Sequence, residues 1–546
     1  MAAQKRRMDP TQTPTARSED MTSRKSFRTQ LAAAFIGGLI TACVSHADVT
    51  MPALFADHMV LQREKPIPVW GKAAPGEKLT VSIASQTVTV TADADGNWQV
   101  TLDPIASTDP LTMTVKGAND VVINDILMGE VWVCSGQSNM NMRVNRCLNA
   151  DQEIASSANN AIRHFQIRNA VSPKALDDCS GAWTVAGPDT VGGYTAAGYF
   201  FARELNRRLG VPIGLIHTSW GGTPAEAWTP RKQLETMPEC RPILDRFAKA
   251  LEEYPARLEK HKQNIDAYKE KLEAWKATVK AEGAEAAGRR PRPPRPPLSE
   301  NHPHSPSGLY NAMIAPLVPY AIRGAIWYQG ESNAGRAYQY RTLFPAMISA
   351  WRDAWGQGAF PFYFVQLANF HAPQSDPNNG STWAELREAQ AMALALPNTG
   401  MACIIDVGEA DDIHPKNKQA VGERLALWAL AKDYGQEVVY SGPVYRNMTR
   451  QGNTIRISFD HVGGGLAPKG DKLTGFAVAG ADKTFVWADA RIDGDSVLVS
   501  SDAVAEPVAV RYGWADNPPA NLYNKEGLPA VPFRTDQWTG VTEGKL

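Results

Sequence analysis

Five apolar runs in this 546-residue chain, at 128–134, 211–217, 321–328, 361–368 and 400–406, alternate with amphipathic stretches at 193–209, 338–354, 382–395 and 417–433. Short, continuously apolar runs bounded by turn residues read as strands buried on both faces. The longer stretches, with apolar residues three and four apart, read as helices. The alternation predicts a three-layer α/β/α domain with a parallel sheet over about 125–435. Chemistry in such sheets gathers beyond the carboxyl ends of the strands. Four of these ends carry unusual polar residues.

The flanks have a different rhythm. Between 48 and 124, segments such as Lys78-Leu-Thr-Val-Ser-Ile-Ala84 and Trp98-Gln-Val-Thr-Leu102 alternate apolar and polar residues between turn signals, which predicts a small β-sandwich. From 436 to 546, runs such as Asn453-Thr-Ile-Arg-Ile-Ser-Phe459 and Val508-Ala-Val-Arg-Tyr512 predict a second one. An insertion at 232–300 interrupts the α/β domain. Leu258, Ile265, Leu272 and Val279 recur every seven residues, with Tyr268 and Trp275 alongside, so an amphipathic helix is expected to pack on a partner helix or on the domain. It gives way at Gly288 to an Arg/Pro run that reads as a stiff, solvated spacer.

The first 47 residues read as an export signal. Arg24, Lys25 and Arg28 precede the apolar stretch Leu31–Ala42, and Ser45-His46-Ala47 offers a cleavage site. Residues 1–20 are an extra extension if Met21 is the true start. Ile40-Thr-Ala-Cys43 also fits a bacterial lipobox. Two readings therefore stand: a soluble periplasmic or secreted protein, and an outer-membrane lipoprotein anchored at Cys43. No other apolar stretch is long enough to span a membrane. Export permits disulfides, and Cys147 with Cys179, both in polar loop sequence, is the expected pair. A formal net charge of −1 argues against a nucleic-acid binder. No Cys/His cluster has metal-ligand spacing, so no metal is expected. The oligomeric state is not legible.

At the end of the first run stands Cys134-Ser-Gly-Gln-Ser-Asn-Met-Asn-Met142. Ser138 there fits either a helix N-cap or a nucleophile held at a strand end. Three other strand ends bear on the choice. Thr218-Ser-Trp-Gly-Gly-Thr223 brings two glycines whose backbone N–H groups suit developing negative charge. Gln329-Gly-Glu-Ser-Asn333 brings Gln329 and Asn333, either of which is a candidate side-chain donor to an oxyanion. Gly408-Glu-Ala-Asp-Asp-Ile-His-Pro415 brings His414 with Asp411 three residues before it, a spacing that lets a turning loop return the carboxylate to the imidazole. Asp412, two residues before, is the alternative, and the reading favours Asp411 with Asp412 as a helix cap.

Gly136-Gln-Ser-Asn-Met140, Ser219-Trp-Gly-Gly-Thr223, Trp327-Tyr-Gln-Gly-Glu-Ser-Asn333 and Ile413-His-Pro-Lys-Asn-Lys418 resemble, in this order, motifs of the sialate O-acetylesterase family, a branch of the SGNH/GDSL hydrolases. The resemblance implies removal of acetyl groups from sugar hydroxyls without a cofactor. Ser138 would be the nucleophile and His414 the base. Gly222 and Gln329 or Asn333 would form the oxyanion hole with the Ser138 N–H. Trp220, Trp228 and Trp327 are candidate sugar-stacking residues and Glu331 a candidate substrate contact. The acetylated sugar itself, sialic acid or a hemicellulose such as xylan or xyloglucan, is left open. The rival is a carbohydrate-binding protein on a hydrolase scaffold without catalysis.

Overall fold

Strand Asp120–Gly136, here β1, is the spine of the molecule. The computed structural model describes residues 48–545, so the expected export signal, with Cys43, lies outside the described residues. Six further strands join β1 in chain order: β2 (Asn159–Ile167), β3 (Gly181–Ala186), β4 (Ile213–Ser219), β5 (Gly324–Tyr328), β6 (Phe362–Val365) and β7 (Thr399–Ala402). They lie in the order β7-β6-β5-β1-β4-β2-β3. All neighbours are parallel except β2 and β3. Each of the five expected runs holds a strand. The polar-looking β2 and β3 were not legible.

Alternation along β1 feeds two cores. Val131 and Val133 point into one, which the helices Ala337–Trp355 and Thr382–Met392 cover. Trp132 and Cys134 point into the other, beneath the helices Ala196–Leu209 and Lys418–Lys432. The result is the expected three-layer α/β/α arrangement. Those last two helices meet closely, with Gly422 against Phe200 and Phe201.

β1 also passes through the boundary expected at 124/125. Its first half pairs with the antiparallel strand Leu111–Lys116, and Val60–Gln62 runs parallel to its middle. Beyond residue 436 the chain forms antiparallel sheets, among them Val444–Gln451 with Thr454–Asp460, and Phe476–Ala479 with Ala509–Tyr512. Among the described residues no helix is long and apolar enough to cross a membrane.

Two expectations are corrected. Cys147 and Cys179 are both free. Cys147 lies in the second core and Cys179 packs against the first, so the sheet separates them. The insertion does form a long helix, Tyr254–Glu282, but none of its residues is buried. Its seven-residue apolar stripe meets neither a partner helix nor the domain core.

Gly422 tests the packing of the two covering helices. A Cβ there would stand 2.5 Å from Phe200 Cβ and 2.6 Å from Phe201 N. In an open helix Gly→Ala stabilises by about 1 kcal/mol. Here the sign should reverse, and Gly422→Ala should cost about 1–3 kcal/mol through overpacking. The shift in urea midpoint reads this, and a rise in midpoint would show that the helices separate freely.

Candidate active site

The end of β1 sets the position of Ser138. Gly136 has φ +139, and a Cβ there would fall 2.2 Å from Tyr328 O of the neighbouring β5. A glycine at this point lets the two strands stay paired to their tips. Gln137 N then donates to Tyr328 O at 3.0 Å, and the chain enters the short helical turn Ser138–Asn141. Gln137 is the N-cap and makes no side-chain cap bond, so Ser138 is the first helical residue and not a cap. Its half-buried hydroxyl makes no hydrogen bond among the described residues.

The loop after β4 lies against it. A Cβ on Gly221 would sit 3.4 Å from Ser138 Cβ, whereas one on Gly222 would meet nothing within 4 Å. The glycine facing Ser138 is therefore Gly221, where Gly222 had been expected. Gly222, at φ +77, supplies the left-handed turn that brings its neighbour there.

Gln329 and Asn333 are turned away to other work. Gln329 Nε2 donates to Asn333 Oδ1 at 2.7 Å and to Thr223 O at 3.3 Å. Its Oε1 accepts from Tyr340 OH at 2.9 Å. Asn333 Nδ2 donates to Glu226 Oε2 at 3.0 Å, and Asn333 Oδ1 accepts from Ala225 N at 2.9 Å. Both amides are buried, where polar groups must find partners, and they find one another and the glycine loop. They fasten that loop: Gln329 Nε2 makes two bonds, to it and to Asn333, and Asn333 Nδ2 makes one to Glu226. Trp228 and Trp327 are also corrected as sugar-stacking residues. Both are fully buried, packed edge to face at 6.1 Å. Only Trp220 of the three remains partly exposed.

His414 lies in the loop between β7 and the helix Lys418–Lys432. Asp412 Oδ1 accepts from His414 N at 2.9 Å and lies 3.2 Å from Nδ1. Asp412, and not the expected Asp411, is the carboxylate at the imidazole. The physical reason is an Asx turn: a two-residue spacing lets the aspartate hold the backbone and the ring together. That backbone bond is the largest influence holding the Asp412 carboxyl below its ordinary range. Asp411 is exposed. The helix cap foreseen for Asp412 is supplied by Asn417, whose Oδ1 accepts from Ala420 N.

A buried network that sequence reasoning missed links these loops. Asn139 Nδ2 donates to Glu331 Oε1 at 2.6 Å and to Ile413 O at 3.0 Å, while its Oδ1 accepts from Lys418 Nζ at 2.8 Å. Lys418 Nζ also donates to Pro415 O. One carboxamide thus joins the residue after Ser138 to the residue before His414. Glu331, expected to touch substrate, belongs to this buried network. Its carboxyl is pushed up by burial. Burial likewise pushes Lys418 down to about 7. The available sequence signal was the amide flanking Ser138 and the second lysine of the His-Pro-Lys-Asn-Lys stretch.

The chain holds a second serine–histidine pair. His217 lies 2.6 Å from Ser219 Oγ by Nε2 and 2.7 Å from Gln166 Oε1 by Nδ1. Both residues are buried, and burial drives the His217 pKa down to about 3. No substrate reaches this pair, whereas Ser138 and His414 are both partly exposed.

Comparison with known proteins shows what the chain is similar to. The family model described as carbohydrate esterase, sialic acid-specific acetylesterase, matches residues 128–285 and 300–431. The sialate O-acetylesterase of Mus musculus is 29% identical over 528 residues, covering 87% of this chain and 92% of that protein. That of Homo sapiens is 28% identical over 535 residues, covering 88% and 92%. A crystal structure of a carbohydrate acetylesterase from Xanthomonas citri is similar with 39% identity and a TM-score of 0.75, covering 90% of this chain and all of that one.

The lowered Lys418 pKa fixes the sign of a pH effect. Below pH 7 folded and unfolded chains both hold the proton, and the cost of burying the charge is fully present. Between about pH 7 and 10 the unfolded chain binds more protons, so this site adds stability as pH rises. Wild type should therefore gain on Lys418→Met across that window in urea midpoints. Parallel curves would show that Lys418 is not buried as a charge.

Proposed function

Because this chain belongs to the carbohydrate esterase family of sialic acid-specific acetylesterases, and so is a carbohydrate acetylesterase, we propose that its acyl transfer runs through Ser138. The observation that carries this is the convergence of loops beyond the carboxyl ends of the strands. Gly221 lies against Ser138, and Asn139 ties the serine turn to the His414 loop. The Ser138 hydroxyl is left free of capping duty.

In this mechanism His414 takes the Ser138 proton as Oγ attacks the acetyl carbonyl of a sugar ester. Asp412 holds the imidazole by Nδ1 and stabilises the imidazolium that forms. The N–H groups of Ser138 and Gly221, at the start of a helical turn and in a glycine loop, receive the developing oxyanion. His414 returns the proton to the departing sugar hydroxyl, and water then releases acetate from the serine. Ser138 and His414 are not hydrogen-bonded to each other among the described residues. Such contacts commonly tighten only when substrate arrives.

The substrate is an O-acetylated sugar. Its similarity to mammalian sialate O-acetylesterases and to the Xanthomonas citri carbohydrate acetylesterase supports this. The export signal read over residues 1–47 suits an enzyme that meets glycans outside the cytoplasm.

Acetate release from O-acetylated sugars tests this reading. Ser138→Ala should lower turnover by up to about 10⁶ with the fold intact. If it kept a tenth of wild-type turnover, Ser138 would not be the nucleophile. Asp412→Asn should cost up to about 10⁴, the loss seen when a triad loses its aspartate. Asp411→Asn should leave turnover near wild type. The reverse ranking would return Asp411 to the imidazole.

A further inference from the structure

A cavity of about 460 Å³ opens beside the glycine loop, with Gly222 and Ser332 in its wall. Both residues adjoin the serine turn. Gly222 follows the glycine that faces Ser138, and Ser332 N donates at 3.3 Å to Gln137 Oε1, one residue before Ser138. A group bound in this cavity therefore lies next to an ester held at the serine.

Its lining is cationic. Arg246, Arg295 and Arg336 all contribute, against a single carboxylate, Glu226. Glu226 is already committed, since it pairs with Arg336 and accepts from Asn333. Arg246 and Arg295 have no acidic partner among the described residues. Arg246 is held below the ordinary guanidinium range by partial burial and by the nearby Arg336 charge. Arg246 and Arg295, both exposed, thus border an open cavity without a salt-bridge partner among the described residues, and Glu226, already paired with Arg336, is the one acidic group near Arg246. A planar, hydrogen-bonding cation pair of this kind suits a carboxylate.

The insertion delivers one of these arginines. Residues 286–299, which contain Arg295, are the internal stretch that the family model does not match. In this stretch Pro291, Pro294 and Pro297 are half-buried, while Arg292 and Arg295 are exposed. A three-residue period is that of a polyproline helix, which puts every third side chain on one face. At its start, Trp275 Nε1 donates to Gly288 O at 3.0 Å, fixing the return of the chain along the long helix. The hairpin buries nothing in the core, yet it carries Arg295 to the rim of the site.

We propose that this cavity is a carboxylate subsite, in which Arg295 and Arg246 select O-acetylated sugars or oligosaccharides that bear an acidic group close to the ester. The proposal rests on the acetylesterase reading above. The carboxylate belongs either to the acetylated sugar itself or to a neighbouring unit of the chain, and the choice of substrates separates the two.

The test uses the full chain, with 4-nitrophenyl acetate, an acetylated neutral xylo-oligosaccharide, the same oligosaccharide carrying a uronic acid branch, and an O-acetylated sialic acid. For Arg295→Gln and Arg246→Gln, KM on an acidic substrate should rise about tenfold, the scale of one lost charge-assisted contact. Turnover on 4-nitrophenyl acetate and KM on the neutral oligosaccharide should stay at wild-type values, and Arg295→Lys should recover part of the loss. A change confined to the sialic acid assigns the carboxylate to the acetylated sugar, and one confined to the branched oligosaccharide assigns it to the neighbour. Equal KM changes on neutral and acidic substrates, or none on either acidic one, would overturn the subsite while leaving the esterase reading standing. No acetate from any of the four substrates with wild type would overturn both.

Discussion

The Asn139 carboxamide holds the site together, and the reason lies in the strand order. β7, which precedes His414, is three strands away from β1, which precedes Ser138. At the usual spacing between strands their tips are separated by about 14 Å. The loop after β7 must lean back across β6 and β5 to reach the serine. Asn139 receives it there, through Ile413 O on one side and Lys418 on the other. Glu331, from the turn after β5, accepts the same amide and fills the gap between them. Burying a lysine and a glutamate costs more than an apolar filling of the same space unless every hydrogen bond is well made. What the arrangement gains is a fixed position: a carboxamide with three partners admits one placement of the His414 loop, where apolar contacts would admit several.

The opposite end of the sheet is anchored by another buried acid. Glu130, wholly inaccessible on β1, accepts from Arg63 and Arg323 and from Gln62. Three chain segments meet at this carboxylate, where β1 begins its parallel pairing with β4. The C-terminal sheets are fastened differently. Arg387 is buried and donates to four backbone carbonyls, those of Leu367 and Ala368 after β6 and those of Ala515 and Asp516. Four carbonyl dipoles satisfy the guanidinium geometry without a full counter-charge, and burial lowers its pKa to about 10. The Glu130 anchor leaves the carboxyl ends of the strands free for loops, while Arg387 ties down the loop just beyond β6.

The sheet was legible where strands are uniformly apolar, and it was hidden where a buried strand carries charge. β2 contains Arg163 and His164, both buried. Arg163 is neutralised by Asp125, and His164 stacks on Tyr194 at 4.3 Å. Those partners are distant in sequence, so no local pattern announces a strand there. The site shows the same divide. Residue type and strand end were enough to collect Ser138, His414 and the glycine loop. The direction in which a side chain points was not readable, because it depends on what else must be satisfied at that depth. Gln329 and Asn333 have the chemistry of oxyanion donors, yet Gln329 Nε2 donates to Asn333 and Thr223, and Asn333 Nδ2 donates to Glu226. Asp411 has a workable spacing, yet Asp412 can close an Asx turn and hold backbone and ring at once.

The exposed helix of the insertion follows from its own sequence once its partner is known. It carries Arg257 with Glu253, Lys262 with Glu259, Lys269 with Asp266 and Lys276 with Glu273, pairs three or four residues apart. Each contributes only about 0.2–0.5 kcal/mol. Spread along 29 residues they support a helix that tertiary packing does not. The apolar stripe that looked like half of a coiled coil is half-buried, and Trp275 beside it donates to Gly288 O at the start of the returning proline run, a segment with little conformational entropy left to lose. An arm stabilised in this local way places few demands on the α/β core. Its charged residues are therefore free to vary without disturbing the Asn139 network or the glycine loop. The buried hydrogen bonds thus fix the Ser138 and His414 loops, while the exposed arm rests on its own local pairs.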